Sequence, residues 1–324
     1  MIIIQLAGGL GNQMFQYALY LQLKSLGKNV KIDDVAGFAQ DEKRNPALYP
    51  FDITYECASK KELVHMLDSS PLPWSRLRRK LCGRKKKAYF EADKCFHPEI
   101  MTWDDIYLEG YWQTEKYFAD ISDDIKKIYD TDKLLQYIRD NNLTGTAAGP
   151  AAHAEETDYG RMTMDGLLAR IETTESVSVH IRRGDYLLPE NLELFGDICT
   201  ESYYENAMEQ MKSERPDCRF YLFTNDKEWL KGQIVKRTET NMQNADKGFI
   251  DDIEVVDLGE QSDYAEFVLM SKCKHNILAN SSFSWWASYL NHNPNKIVLA
   301  PDRWLNGWDC KDLYRNDMRK VNAG

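Results

Sequence analysis

Between residues 176 and 300 one pattern recurs: a short apolar run, a polar break, then a stretch with helical spacing. "SVSVHI" (176–181) precedes a helical stretch at 202–214, and "RFYLF" (219–223) precedes a short one near 226–231. "IEVV" (253–256) leads to 263–272, "NILA" (276–279) to 283–291, and "KIVLA" (296–300) closes the series. Short strands alternating with helices predict a parallel, doubly wound sheet. Residues 301–324 read as an irregular tail.

The first part of the chain starts the same way. Ile2–Leu6 is an apolar strand, and Phe15, Leu19, Leu23 and Leu26 share one helical face that Gly27 can cap. "NVKID" (29–33) returns as a strand, which completes a βαβ unit. Prolines 46, 50, 71 and 73 break the pattern over 34–75, after which "IYLEGYW" (106–112) reads as a strand and 114–129 as a helix. "TGTAAGPAAHAEE" (144–156) has almost no apolar bulk and is the best linker. The expectation is an α/β protein of two doubly wound domains, 1–150 and 151–324, that face each other across a cleft.

Composition narrows the class. At 43% hydrophobic residues the chain can bury sizeable cores, and no apolar run approaches the roughly 20 residues that span a bilayer. It opens directly on a strand, so no signal peptide is expected. Seven scattered cysteines without a CxxC pair argue against a zinc site or disulfide framework and point to a cytoplasmic, reducing setting. The net charge is −10; residues 1–150 hold 21 basic and 21 acidic side chains, so the second half carries the whole acidic excess. Nucleic acid is an improbable bulk partner for such a chain.

In open α/β sheets ligands bind beyond the carboxyl ends of the strands. Here those ends read "HIRRGDY" (180–186), "FTND" (223–226) and "NSSFSWW" (280–286), with "GGLGNQ" (8–13) in the first half. If the strand continues, Arg182 and Arg183 point to opposite faces: one meets the cleft and the other pairs inside the domain, with Asp185 as a partner. An arginine fork matches a diphosphate bidentately. Ser281 and Ser282 either present donors to an anion at a helix start or simply cap that helix. Asp226 either accepts guanine's N1–H and exocyclic amine or caps the helix that follows. "GGLGNQ" lacks the third glycine of a dinucleotide fingerprint, because Met14 stands there.

Two further stretches have a bland reading. Asp130-Thr131-Asp132 matches a metal-binding DxD, yet it lies between two helical stretches, where Asp132 would be an N-cap. "RLRRKLCGRKKK" (76–87) carries eight basic residues and no acid. It reads as a solvated loop or as a segment drawn to an anionic membrane face, and RNA suits it least because aromatics are not interleaved.

"GGLGNQMFQYA", "GYWQTEKYF" (110–118), "HIRRGDY", "FTND" and "NSSFSWWASYL" occur in the order found in glycosyltransferase family 11. The chain therefore resembles the soluble bacterial α-1,2-fucosyltransferases of that family from residue 1 to about 305, departing from their pattern at 144–164. The resemblance implies a GT-B-like pair of Rossmann domains, an acceptor-side N-terminal domain, a C-terminal nucleotide-sugar domain and inversion at the anomeric carbon. It also implies GDP-fucose as donor, no cofactor and no catalytic metal. Carried over by motif, Arg182 holds the β-phosphate and His180 lies against the donor sugar or pyrophosphate. Asp226 reads guanine, and Ser281, Ser282 and Phe283 wrap the phosphates and nucleoside. Asn12 and Gln13 face the donor from the first domain, and Gln113 helps form the acceptor side.

An inverting transfer needs a base for the acceptor hydroxyl or a nearly dissociated donor. Asp185, His180 and Glu109 are the candidates, and Asp185 is better suited to orienting the arginines. The acceptor implied is an oligosaccharide or a lipid-linked galactoside; a lipid-linked one would suit the membrane alternative for 76–87, peripheral contact at the inner membrane face. The rival readings are a non-catalytic carbohydrate or nucleotide binder, a transferase of another linkage or deoxysugar, and a nicotinamide oxidoreductase.

Overall fold

A computed structural model describes every residue except 40, 42–43, 84–86, 144–162, 234–251, 260–261 and 323–324. The expected linker at 144–156 lies outside the described residues. The chain forms two compact units, Met1–Tyr129 with Asp309–Arg315, and Asp130–Trp308 with Asn316–Gly324. The division thus falls after Tyr129, ahead of position 150. The helix Thr131–Asp140 belongs to the second unit because it packs on the helix Asp263–Lys272.

In the first unit, β1 (Ile2–Ala7), β2 (Val30–Gly37), β3 (Ala88–Phe90) and β4 (Ile106–Glu109) form a parallel sheet in the order β2-β1-β4-β3. Ile2, Ile3 and Ile4 are all fully buried, as a central strand covered on both faces requires. The helix Leu10–Ser25 follows β1 directly. The strand expected over 106–112 ends at Glu109, and Trp112 takes a left-handed backbone at φ +56°. The helix expected over 114–129 is a 3₁₀ stretch, Glu115–Ile121, kinked at Phe118 and continued by Ser122–Ile128.

The second unit holds β5 (Glu175–Ile181), β6 (Cys218–Thr224), β7 (Ile253–Val255), β8 (His275–Ile277), β9 (Val298–Pro301) and β10 (Met318–Val321). All pairings are parallel, in the order β10-β9-β8-β5-β6-β7. The chain winds outward from β5 to β7, then returns to the other side of β5 with β8. This is the doubly wound order with its switch point between β5 and β8, where a ligand crevice is expected. Val177, Val179, Phe220, Ile277 and Leu299 are the sheet's share of the core, and Tyr203, Ala207 and Met211 pack on it from the helix Glu201–Glu214.

Two sequence readings are corrected. The tail 301–324 is not wholly irregular: Met318–Val321 adds an edge strand, and Lys311–Leu313 forms a helical turn. The basic stretch is not a loop through its first part, because Pro73–Cys82 is a helix. Pro73 sits at the first helical position and Gly83 follows the last at φ +73°, the favoured start and stop residues. Residues 84–86 of that stretch lie outside the described residues.

Candidate functional site at the sheet edges

β5 ends at Ile181, one residue before the arginine pair, so strand alternation does not govern where Arg182 and Arg183 point. The turn that follows is fixed by Asn225, beyond the end of β6. The Asn225 side chain accepts from the Arg183 N–H at 2.9 Å and donates to the Arg183 carbonyl at 3.4 Å. Gly184 has φ +57°, and a Cβ there would stand 2.5 Å from Asn225 Nδ2, so backbone and neighbour both require glycine.

The arginines then take separate carboxylate partners, which the sequence left open. Arg182, not Arg183, holds Asp185, with Nη2 to Oδ1 at 2.6 Å and the guanidinium 5.4 Å from the centre of the Tyr186 ring. Arg183 stacks on the Trp229 ring at 3.7 Å and its Nε donates to Asp226 Oδ2 at 3.3 Å. Neither arginine is buried; their side chains remain 26% and 27% exposed, which leaves both cations open to a ligand. Nε of Arg182 is nevertheless shielded from solvent and has no hydrogen-bond partner.

Asp226 acts as the cap of the helix that follows β6: its Oδ1 accepts from Trp229 N–H at 3.2 Å while Oδ2 holds Arg183. The bland reading of this residue therefore has direct structural support. The same holds for Ser281, whose hydroxyl accepts from Phe283 N–H at 3.3 Å and caps the helix Ser282–Tyr289. Phe283 packs between Phe267, 5.3 Å away between ring centres, and His180, 5.7 Å away.

His180 is the last but one residue of β5 and is buried. Burial, reinforced by the adjacent Arg182 cation, pushes its imidazole down to about 3, so it is neutral at physiological pH. Its carbonyl accepts from the Tyr204 hydroxyl at 3.0 Å, and its ring Nδ1 is buried without a hydrogen-bond partner. A second bond joins the two sides of the switch point: Tyr186 donates to the Asn280 carbonyl at 3.0 Å. Thus His180, Arg182, Asp185 and the Ser281–Phe283 turn share one edge of one sheet.

In the first unit, Gln113 donates from Nε2 to Asn12 Oδ1 at 2.8 Å, which unites two predicted residues. Gln13 does not face outward. It is fully buried, and its amide donates to the carbonyls of Gly8 and Asn45 and accepts from Ala47 N–H at 2.7 Å. Its role is to hold the 45–47 segment. Glu109 closes β4 and is half-buried, with Gly110 as its neighbour in the chain.

Sequence reasoning passed over Glu91. Its carboxylate accepts from the N–H groups of Tyr111 and Trp112, both at 3.0 Å, and from Lys94 at 2.6 Å. It thereby fixes the left-handed Trp112 and, through it, the position of Gln113. Gln16 supports the same turn from the helix, donating to the Gly110 carbonyl at 2.8 Å and accepting from Ala7 N–H at 3.0 Å. Only the alternation of polar residues within an otherwise apolar helix face signals Gln16, and nothing local signals Glu91.

The DxD motif is engaged elsewhere. Asp130, not Asp132, is the N-cap, accepting from the N–H groups of Asp132 and Lys133, and Asp132 pairs with Lys272 at 2.5 Å. Among the described residues no group of three His, Cys, Asp or Glu side chains is placed to hold a metal ion, and no helix is long and apolar enough to cross a membrane.

Three relatives and one family model bear on this arrangement. An α-1,2-colitosyltransferase of Escherichia coli is 28% identical over 97% of each chain. The O-antigen biosynthesis glycosyltransferase WbnK of Escherichia coli is 26% identical over 93% of this chain and 94% of its own. Galactoside α-(1,2)-fucosyltransferase 1 of Plecturocebus brunneus is 29% identical over 41% of this chain and 35% of its own. The sequence model of glycosyl transferase family 11 matches residues 153–317, the span that contains the whole β5–β8 edge, and the chain belongs to that family.

Proposed function

We propose that the chain is an inverting, metal-independent glycosyltransferase that moves L-fucose from GDP-fucose to a hydroxyl of a galactoside and forms an α-1,2 linkage. The observation that carries this reading is the Arg182–Asp185 pair at the switch point, beside a neutral buried His180 and a capped helix start. In such a transfer the acceptor oxygen attacks the anomeric carbon, and the bond from that carbon to the β-phosphate oxygen breaks. GDP leaves with the electron pair, and the hydroxyl proton passes to a base or to water. Negative charge grows on the diphosphate, where a preoriented guanidinium is most effective.

Roles follow from the position of each side chain and the partners it holds. Arg182 offers its remaining N–H groups to the β-phosphate, while Asp185 holds the fork in place and is thereby less suited to be the base. His180 lies against the donor sugar or pyrophosphate as a neutral, buried ring beside Phe283. Ser282 and Phe283 line the nucleotide, with Ser281 shaping the turn as its cap. Asp226 keeps Arg183 over Trp229, and a guanine contact would have to share that carboxylate. Asn12 faces the donor and is bonded to Gln113, which with Glu109 serves the acceptor side, while Gln13 is a buried support. The acceptor is an oligosaccharide or a lipid-linked galactoside, and the setting is the cytoplasm.

A second donor has a specific observation behind it, the colitosyl relative. A colitosyl group is an L-fucosyl group without its 3-hydroxyl. The test is a mass-spectrometric assay of GDP-fucose and GDP-colitose, each with a set of β-galactosides. A fucosylated product supports the proposal, and a colitosylated product alone moves the donor assignment. GDP-sugar binding without transfer would establish the non-catalytic reading. A site that hydrogen-bonds the 3-hydroxyl would favour fucose by about 10⁴–10⁵, whereas an apolar pocket at that position would disfavour fucose by only about 10².

A further inference from the structure

The helix Pro73–Cys82 is oriented the wrong way round for a soluble surface. At 100° per residue, Trp74, Leu77 and Leu81 fall within one narrow stripe. An amphipathic helix on a globular protein turns such a stripe inward. Here it points outward: Trp74 is 81% exposed, Leu77 47% and Leu81 75%, with Leu72 just before the helix at 63%. The side that meets the protein carries Ser75, Arg78 and Arg79 instead. Arg78 pairs with Asp68, and Arg79 donates to the Ser70 carbonyl at 2.7 Å. Hydrogen bonds and an ion pair thus fix which face is presented.

Charge identifies what the stripe meets. Arg76 and Lys80 border it on one side and are both exposed. No acidic residue occurs from Ser69 to Tyr89. A tryptophan and leucines flanked by arginine and lysine match an interface with an apolar interior below an anionic surface. A second copy of the same helix would bring like charges together along the stripe.

We propose that Leu72–Cys82 is an interfacial anchor that lies in the plane of an anionic bilayer. Trp74, Leu77, Leu81 and Leu72 enter the acyl boundary, and Arg76 and Lys80 bind lipid phosphates. The inference rests on this helix alone and stands apart from the sugar-transfer reading, because vesicle binding requires neither donor nor acceptor.

The experiment is flotation of the full chain with vesicles of phosphatidylglycerol and phosphatidylethanolamine, against vesicles of phosphatidylcholine. Binding to the anionic vesicles alone, weakened by added salt, is expected. Trp74→Ser/Leu77→Ser/Leu81→Ser should lose more than about tenfold in partitioning at an unchanged melting temperature, since these side chains already face water. Arg76→Gln/Lys80→Gln should lose about fivefold per charge. Trp74→Phe should remove a blue shift of emission seen on binding. A parent chain that ignores anionic vesicles, or a triple variant that still binds them, overturns the proposal. A parent that is dimeric in light scattering and becomes monomeric in the triple variant assigns the stripe to self-association and overturns it equally.

Discussion

Replacing Arg182 by alanine separates two quantities that the structure makes very unequal. The pair it forms with Asp185 is short, at 2.6 Å, but the two side chains are 26% and 29% exposed. Water screens such a pair, so its contribution to stability is under about 1 kcal/mol. For a chain of this size that corresponds to a fall in melting temperature of no more than about 4 °C. Charge stabilisation during transfer is another matter. Removing one preoriented donor from a developing anion typically costs about 10²–10³ in rate, or about 3–4 kcal/mol. Arg182→Ala should therefore melt almost as the parent does and turn over at least about a hundredfold more slowly. Arg182→Lys should recover little, since an ammonium cannot keep a bond to Asp185 and also present a planar fork to phosphate.

Arg183 is the control. Its loss removes the ion pair to Asp226 and the stack on Trp229 at 3.7 Å, together about 1–2 kcal/mol. Arg183→Ala should thus show the larger fall in melting temperature and the smaller fall in kcat. The assay is GDP release from GDP-fucose with a galactoside acceptor, beside thermal melting of each variant. An Arg182→Ala enzyme of normal turnover, with Arg183→Ala folded but inactive, would mean that the two arginines have exchanged roles.

Asp185→Asn should weaken GDP binding together with activity, because the fork loses its orienting partner; inactivity at native GDP affinity would make Asp185 the base. EDTA should leave turnover nearly unchanged, since Asp130 caps a helix and Asp132 holds Lys272, and rescue of an EDTA-inhibited enzyme by Mn²⁺ would refute this. Gln13→Ala should cost about 1–3 kcal/mol by leaving the buried Gly8 carbonyl unpaired and releasing the 45–47 segment, with GDP affinity unaltered; an unchanged melting temperature would contradict it. His180 is pushed down to about 3 by burial, so the unfolded chain binds more protons than the folded one between about pH 6.5 and 3. Its contribution is fully present above pH 6.5 and is lost as pH falls, approaching about 1.4 kcal/mol per pH unit. His180→Asn should flatten that part of the acid limb in urea melts taken across the range, and an identical slope would show that His180 is not the group responsible.

How much of this could be read from the residues alone depended on how far apart the interacting groups lie. β5, β6 and β9 were legible because their apolar residues announce burial wherever they pair. The edge strand Met318–Val321 was not, since its two middle residues, Arg319 and Lys320, face water and break any apolar run. Pro73 and Gly83 framed a helix that the density of charge between them disguised as loop. The site shows the same division more sharply. That His180, Arg182, Asp185 and the Ser281 turn gather at one edge follows from parallel strands, whose carboxyl ends share an edge, and parallel strands follow from the alternation. Which carboxylate each arginine takes does not, because it depends on where β5 stops. Ile181 is the last residue paired to β6, and beyond it Asn225, 42 positions from Arg183, sets the turn. That one side-chain amide aims Arg182 at Asp185 and Arg183 at Asp226. Glu91 does the same for the loop bearing Gln113, from 20 and 21 positions away. In both units the residues with chemistry to offer were visible in sequence, while those that aim them were hidden by distance. A substitution at Asn225 or Glu91 should accordingly damage activity through geometry while leaving every predicted ligand in place.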